Sequence, residues 1–383
     1  MTNLTIFNTR NVTIGILLAV VIAVPLVPAH ADHAIHVPAD YPTIQAAINA
    51  ANAGDDIVIS PGTYSEQLSI SKSLDIQGSD GTTIIQAPAT LVPDIFGYSN
   101  VVDVTNGATV TISKVTISGP GPTNCGSIEA GIFVSGGATL KITKSTITDI
   151  RDNPASGCQN GIGILVGRAA KSTTGHANIS DVTVTKYQKG GIVMDGPGST
   201  ASVKDNKVSF GLSPLNIAAN GIQVGRGAQA TISDNKVTGN ICSAVPTVCG
   251  PDLTNLNLAQ ATGILLYGSG SGTSVKNNEV SQNDIGIVVV NCGDPFCLTP
   301  PSTPSVEIKD NKVSSSGATG ILVQDENYTV SNNKVTGPGP IGIAVIGDSL
   351  NTVATLVDNE IKGVTASIWA FGTSGHTAVA VLK

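Results

Sequence analysis

The stretch Gly221-Ile222-Gln223-Val224, followed by Ala230-Thr231-Ile232-Ser233-Asp234-Asn235-Lys236-Val237, contains a complete structural unit. Its apolar runs are too short for helices and are rich in β-branched residues, the signature of short strands. Within Ile222-Gln223-Val224 the first and third side chains point to one side and the middle one to the other. The unit recurs. Gly-Ile pairs begin at Gly131, Gly161, Gly191 and Gly221, and again with uneven gaps at Gly263, Gly286, Gly320 and Gly342. A second column reads Asp205-Asn206-Lys207-Val208, Asp234-Asn235-Lys236-Val237, Asn277-Asn278-Glu279-Val280, Asp310-Asn311-Lys312-Val313, Asn332-Asn333-Lys334-Val335 and Asp358-Asn359-Glu360-Ile361. Self-similarity with a period of roughly 20 to 50 residues marks a solenoid. With strands this short, the expected fold is all-β: a single-stranded right-handed parallel β-helix whose coils stack about 4.8 Å apart.

Stacking places Asn206, Asn235, Asn278, Asn311, Asn333 and Asn359 in one column. Their amides are expected to hydrogen-bond from coil to coil, and asparagine suits the bend because it tolerates the left-handed conformation. Val115, Ser145 and Val182 stand at the matching place in earlier coils, so the ladder should start at Asn206. A calcium row through Asp205, Asp234, Asp310 and Asp358 competes for the same column. Turn chemistry alone accounts for those aspartates, and no other cofactor is implied.

The first 31 residues read as a secretory signal: Arg10, an apolar run from Ile14 to Val27, and Ala29-His30-Ala31 as a small-x-small cleavage site. The run is short of the roughly 20 apolar residues a membrane span needs, although an uncleaved anchor stays open. A secreted or cell-surface location follows. Cleavage removes one Arg and no acid, so the mature chain is one charge more negative than the full chain's −7. Such a balance argues against nucleic acid and anionic membranes as partners. The six cysteines suit an oxidising compartment, and their spacing suggests loop disulfides pairing Cys125 with Cys158, Cys242 with Cys249 and Cys292 with Cys297.

The expected organisation is a signal over 1–31, an N-terminal cap over 32–56, coils over 57–367 and a C-terminal cap over 368–383. A helix over 42–53, with Ile44, Ala47, Ile48 and Ala51 on one face, would plug the N-terminal end. Val37-Pro38-Ala39-Asp40-Tyr41-Pro42-Thr43-Ile44-Gln45-Ala46-Ala47-Ile48, then Gly54-Asp55, Gly62-Thr63-Tyr64-Ser65-Glu66 and Lys72-Ser73-Leu74-Asp75-Ile76, resembles the opening of pectin-lyase-like β-helix proteins. That resemblance implies the fold and a superfamily of pectin esterases, polysaccharide lyases, hydrolases, epimerases and surface proteins. Gly62-Thr63-Tyr64-Ser65-Glu66 matches an element of the esterases that builds the first turn. The esterase Gly-Arg-Pro-Trp, the hydrolase Gly-His-Gly and the epimerase Asp-Pro-His-Asp have no counterpart; Gly175-His176-Ala177 and Gly375-His376-Thr377 do not supply the histidine motif.

One constellation remains. Aligned by coil, Arg168 and Arg226 stand at equivalent strand ends with Asp195 between them, an arrangement that could grip a uronate or sulfate, with Asp195 as a candidate base. The competing reading is a surface ion-pair cluster. The outward column Phe133, Leu165, Val193, Gln223, Leu265, Val288, Leu322 and Ala344 is too apolar to stay bare. The segments Cys242–Ala261 and Asn291–Pro304 are the expected covers. The leading expectation is a β-helix protein that binds carbohydrate or envelope components, without a complete catalytic signature. An enzyme acting on acidic polysaccharide is the competing class. An export-side copper-assembly protein is a third, with few ligands: Met194, His33, His36, His176 and His376. Mass spectrometry of the exported protein should find Asp32 as its first residue; an N-terminus upstream of Ala29 would mean the signal is kept.

Overall fold

The computed structural model describes residues 34–383 other than 80, 81, 124, 243–259, 292–304, 315, 338, 349 and 374. Cys249, Cys292, Cys297, His33 and most of both expected covering segments lie outside the described residues.

The chain is a right-handed parallel β-helix. An eleven-strand parallel sheet runs from Leu68–Ile70 to Ala366–Gly372, taking one strand from each coil. A 22-strand sheet carries the other strands and wraps the remaining sides. In coil after coil, Ile132, Ile164, Ile192, Ile222, Ile264, Ile287, Ile321 and Ile343 lie side by side and point into one continuous core. The middle residue of each strand faces out. The register corrects one detail of the repeat: Ile132 pairs with Ile164, not Ile162. The in-register pair is therefore Gly163-Ile164, and Gly161-Ile162 is a decoy two residues early.

The glycine of each pair is dictated by the opposite wall. A Cβ on Gly221 would stand 2.4 Å from Val237 Cγ1 and 2.6 Å from the Gly263 carbonyl oxygen. On Gly286 it would meet Val313 Cγ1 at 2.3 Å and the Gly320 oxygen at 2.5 Å. The two sequence columns, Gly-Ile and Asp-Asn-Lys-Val, are thus two sides of one contact. Bare backbone on one wall accepts the valine methyl of the other.

Between the two back-wall strands of a coil, the chain bends at one left-handed residue. That residue is the one before the column asparagine: Asp205, Asp234 and Asp310 have φ near 58°. The bend conformation expected of the asparagines belongs to their neighbours, which leaves the asparagine side chains free to turn inward. Asn206, Asn235, Asn278, Asn311 and Asn333 are buried. Asn235 Nδ2 donates to Asn278 Oδ1 at 3.0 Å, and the same link joins Asn206 to Asn235, Asn278 to Asn311, Asn311 to Asn333 and Asn333 to Asn359. Each Oδ1 also accepts the backbone N–H of the preceding asparagine, as Asn311 does from Asn278 at 3.0 Å. Before Asn206 the column holds Val182, whose N–H donates to Asn206 Oδ1 at 3.0 Å.

A shorter polar ladder was not expected. Tyr187 Oη donates to Asn240 Oδ1 at 2.7 Å, and Asn240 Nδ2 donates to Asn283 Oδ1 at 2.8 Å, all three residues being buried. Near the N-terminal end, Cys125 and Cys158 are disulfide-bonded with their Cα atoms 5.5 Å apart. Cys242 is also disulfide-bonded.

The only helix longer than a single turn among the described residues, Ile44–Ala50, is shorter than the 42–53 span read from the sequence. Thr43 is extended and caps it through Oγ1, and Ala51 is extended at the other end. Glu66 explains the Gly-x-Tyr-x-Glu element: its carboxylate accepts from the N–H groups of Ile44 and Gln45, both at 2.9 Å. That glutamate fastens the helix to the first coil. The last residues form another coil rather than a separate cover, with Ala366–Gly372 and Ala378–Leu382 pairing to Ile341–Gly347 and Thr352–Val357.

Replacing Asn311 by Ala removes an acceptor and a donor from a buried chain of amides. The cost should be about 1 to 3 kcal/mol, as for unsatisfied buried polar groups. Chemical denaturation checks it: an unchanged midpoint would mean the ladder carries no stability.

Candidate functional site

The outer face of the eleven-strand sheet is where the expected site residues lie. Its central column runs Ser69, Asp103, Phe133, Leu165, Val193, Gln223, Leu265, Val288, Leu322, Ala344 and Trp369. Phe133 and Leu165 are completely buried although they point away from the core. Their cover is a loop around Asp94-Ile95-Phe96-Gly97, a shortened echo of an esterase segment that the sequence reading did not place over this column. Phe96 and Tyr98 stand edge-on over the Phe133 ring, with centroids 6.0 and 5.9 Å away. Asp94 shapes that loop, its Oδ1 accepting from the N–H groups of Phe96 at 2.8 Å and Tyr98 at 2.9 Å. Gln67 ties down its start through a two-way pairing with the Val92 backbone, both bonds 2.8 Å. Farther along, Val288, Leu322 and Ala344 form a second outer cluster, against which Leu265 and Trp369 pack.

The charged residues of this face are largely paired. Arg226 grips Asp195 with both prongs, Nε to Oδ1 at 2.6 Å and Nη2 to Oδ2 at 2.7 Å. Asp195 is completely buried and also accepts the Ala169 N–H at 3.1 Å. Its hydrogen bond raises the Arg226 guanidinium above its ordinary range, against the opposing effect of burial. Arg168 turns the other way. Its Nη2 lies 3.1 Å from Glu129 Oε1, its Nε donates to Tyr98 Oη at 3.3 Å, and the guanidinium sits 5.4 Å from the Tyr98 ring centre. Lys171 shares that ring at 5.2 Å. The expected Arg-Asp-Arg group is therefore two separate ion pairs. The reason is reach: Glu129 and Tyr98 offer Arg168 a closer anion and ring than Asp195, which Arg226 already saturates. Buried and doubly bonded, Asp195 is not placed to take a proton from a substrate.

A third carboxyl, Asp103, has no such partner. It lies on the strand Asn100–Val104, beside Ser69 and Phe133, and takes a 2.8 Å hydrogen bond from Asn100 Nδ2. Burial pushes it up to about 7, against the pull of that hydrogen bond and with help from the nearby Asp94 charge. Burial likewise raises Glu129, with Arg168 opposing. Asp103 forms part of the wall of a cavity of about 390 Å³ between the loop and the sheet. Leu68, Val92, Pro93, Ile95 and Phe96 supply its apolar surface. Gln45, Gln67, Ser69, Asp94, Thr105 and Ser135 supply the polar surface.

No metal centre is evident: among the described residues, no group of three or more His, Cys, Asp or Glu is arranged to hold an ion. Met194, the methionine considered for copper, is buried in the core. Among the described residues, no helix is long and apolar enough to cross a membrane.

A family model described as right handed beta helix region matches residues 95–355 and 296–380. The chain belongs to that family. Comparison with curated proteins returns no match. Among solved structures, this right-handed β-helix chain is similar to an alginate lyase from Paenibacillus sp. str. FPU-7, at 14% identity and a TM-score of 0.54. That match covers 91% of this chain and all of the lyase chain. The A-module of a mannuronan C-5 epimerase from Azotobacter vinelandii matches at 15% identity and TM-score 0.54, over 89% of this chain and 94% of its own. A lacto-N-biosidase from Eubacterium ramulus matches at 12% identity and TM-score 0.57, over 88% of this chain and 63% of its own. At such identities these likenesses establish the architecture and no activity.

Arg226→Ala in this β-helix protein would strand the Asp195 carboxylate in a buried site. The loss should be about 3 kcal/mol or more, since breaking a buried pair from one side leaves an uncompensated charge. Thermal or urea unfolding measures it; a loss below about 1 kcal/mol would match a surface pair instead.

Proposed function

We propose that this is an exported carbohydrate-binding protein that holds a sugar on the outer face of its eleven-strand sheet, in the cavity beneath residues 92–96. The observation that carries the reading is the make-up of that cavity. Sugar rings present apolar C–H faces and a rim of hydroxyls, and they need both kinds of surface at once. Here Val92, Ile95 and Phe96 offer the first, while Gln67, Ser69, Asp103, Thr105 and Ser135 offer the second. Both ends of the site are held in place: the Gln67 amide pairs with Val92, and the Gln45 amide pairs with the Ser69 backbone at 2.8 and 3.2 Å. A site held before the ligand arrives loses less to ordering on binding. The disulfide between Cys125 and Cys158 and the apolar N-terminal run of the sequence support export.

A second reading, glycoside cleavage, draws on Asn100. Its Nδ2 touches Asp94 Oδ2 at 3.3 Å as well as Asp103 Oδ1 at 2.8 Å, so the two carboxyls are close neighbours. Asp103, held near 7, could supply the proton that acid–base cleavage uses. The carboxylate of Asp94 is occupied in shaping the loop, which favours the binding reading.

Ser69→Trp tests the site, because Ser69 is an exposed residue of a short strand and the indole would fill the cavity. The mature wild-type protein should bind at least one class of oligosaccharide on a glycan array. The variant should lose that binding with its melting temperature unchanged. Binding that survives the tryptophan would move the site elsewhere, and release of new reducing ends by the wild type would favour the enzyme reading.

A further inference from the structure

We propose that the cavity beneath residues 92–96 selects a protonated amine carried on a sugar ring, with Asp103 as the counter-charge. The inference rests on the sugar-binding reading of that cavity and adds its ligand class. The argument begins from what the site lacks. Of three acidic side chains on this face, two have an arginine: Glu129 has Arg168, and Asp195 has Arg226. Asp103 has one hydrogen bond, from an uncharged amide, and its carboxyl borders the cavity. No Lys, Arg or His lines that cavity. The titratable group nearest Asp103 is Asp94 on the covering loop, also an acid. The helix, the strand Leu68–Ile70 and the strand Ala130–Val134 bring none to the lining. Arg168 and Lys171 lie against Tyr98, which is not among the lining residues.

A second acceptor short of a donor lies beside it. Asn100 is completely buried, and its Oδ1 has no hydrogen-bond partner. Asn100 is not among the residues that line the cavity, so Asp103 is the acceptor that a ligand there reaches. A primary ammonium brings three donors and a positive charge. The apolar wall of Leu68, Val92, Pro93, Ile95 and Phe96 needs a body to cover it, which an amino sugar supplies and a bare ammonium ion does not.

The acidity of the site makes the inference readable. With Asp103 held near 7 in the empty cavity, it is mostly protonated at pH 6, where the amine of a glucosamine oligomer is mostly charged. Binding the ammonium must then release the Asp103 proton. Titration calorimetry at pH 6, in two buffers of different ionisation enthalpy, compares the β-1,4 tetramer of glucosamine with its fully N-acetylated form. These probes share a backbone and differ in charge. The wild type should bind the glucosamine tetramer about 10-fold tighter or more, the scale of a charged hydrogen bond, and release a proton on doing so. Asp103→Asn keeps an acceptor for Asn100 and should collapse that difference. Equal or tighter binding of the acetylated tetramer by the wild type would overturn the amine inference while leaving the sugar site standing. A preference that persists in Asp103→Asn would overturn the role of Asp103. No binding of either tetramer, with none of any glycan on the array, would overturn the sugar site and this inference with it.

Discussion

The contact between bare glycine backbone on one wall and a valine or isoleucine methyl on the other sets the width of the solenoid through its central and later coils. Gly163, Gly191, Gly221, Gly263, Gly286, Gly320 and Gly342 each face such a methyl too closely for any Cβ to fit. Because the contact repeats in successive coils from Gly163 to Gly342, it fixes there where the front strand lies relative to the bend behind it. The isoleucines and valines beside the glycines then fill the remaining core. The asparagine ladder works at right angles to this contact. It locks one coil onto the next, where the glycine contact locks the two walls of a single coil. Packing of this kind tolerates loops of any length between strands, which is why the spacing of the Gly-Ile pairs wanders while their register does not.

On the outer face the same regular scaffold carries unequal decoration. From Val288 onward the central column is apolar and clusters with its neighbours. Toward the N-terminal end it changes to Asp103 and Ser69, and the covering loop with Phe96 and Tyr98 closes over Phe133 between the two regimes. The rings of Phe96 and Tyr98 bury an apolar residue that would otherwise face water, and in doing so they leave a cavity on one side and a cationic shelf of Arg168 and Lys171 on the other. The cavity is thus a consequence of how the column had to be covered. Its position on a rigid sheet, with Gln45 and Gln67 as ties, gives a site more fixed than a free loop would.

Most of the architecture was legible because it repeats. The two columns predict strands, bends and a row of asparagines without any knowledge of distance. The buried face of the N-terminal helix, Ile44, Ala47 and Ile48, follows from periodicity in the same way. What repeats can also mislead: Gly161-Ile162 has the letters of the motif, and only the pairing of Ile132 with Ile164 shows that Gly163 is the one in register. The left-handed residue was assigned one position late for a similar reason, since asparagine and aspartate both suit bends and only the buried amide separates their roles. That the loop around Phe96 and Tyr98 covers the column was not legible, because the stretch is aperiodic and its letters echo only a fragment of an esterase segment. Arg168 was misassigned because a column fixes a coil and a side but not which neighbour a long side chain will choose. Asp103 had a readable signal, a charged residue at the outward position where the next two coils carry Phe133 and Leu165.

The distribution of positive charge gives the face its character. Beyond Arg10 the chain has three arginines, and each is engaged with an acid: Arg151 with Asp149, Arg168 with Glu129 and Arg226 with Asp195. A guanidinium that already holds a carboxylate with both prongs has little left for an anionic sugar, and releasing it would expose a buried acid to a large penalty. The net charge works in the same direction, opposing the approach of polyanions at long range. An acidic-glycan clamp built from Arg168 and Arg226 would therefore have to dismantle the pairs that hold Glu129 and Asp195. Asp103 presents the opposite case. Burial holds its carboxyl up near 7, and no Lys, Arg or His stands among the residues of its cavity to offset that.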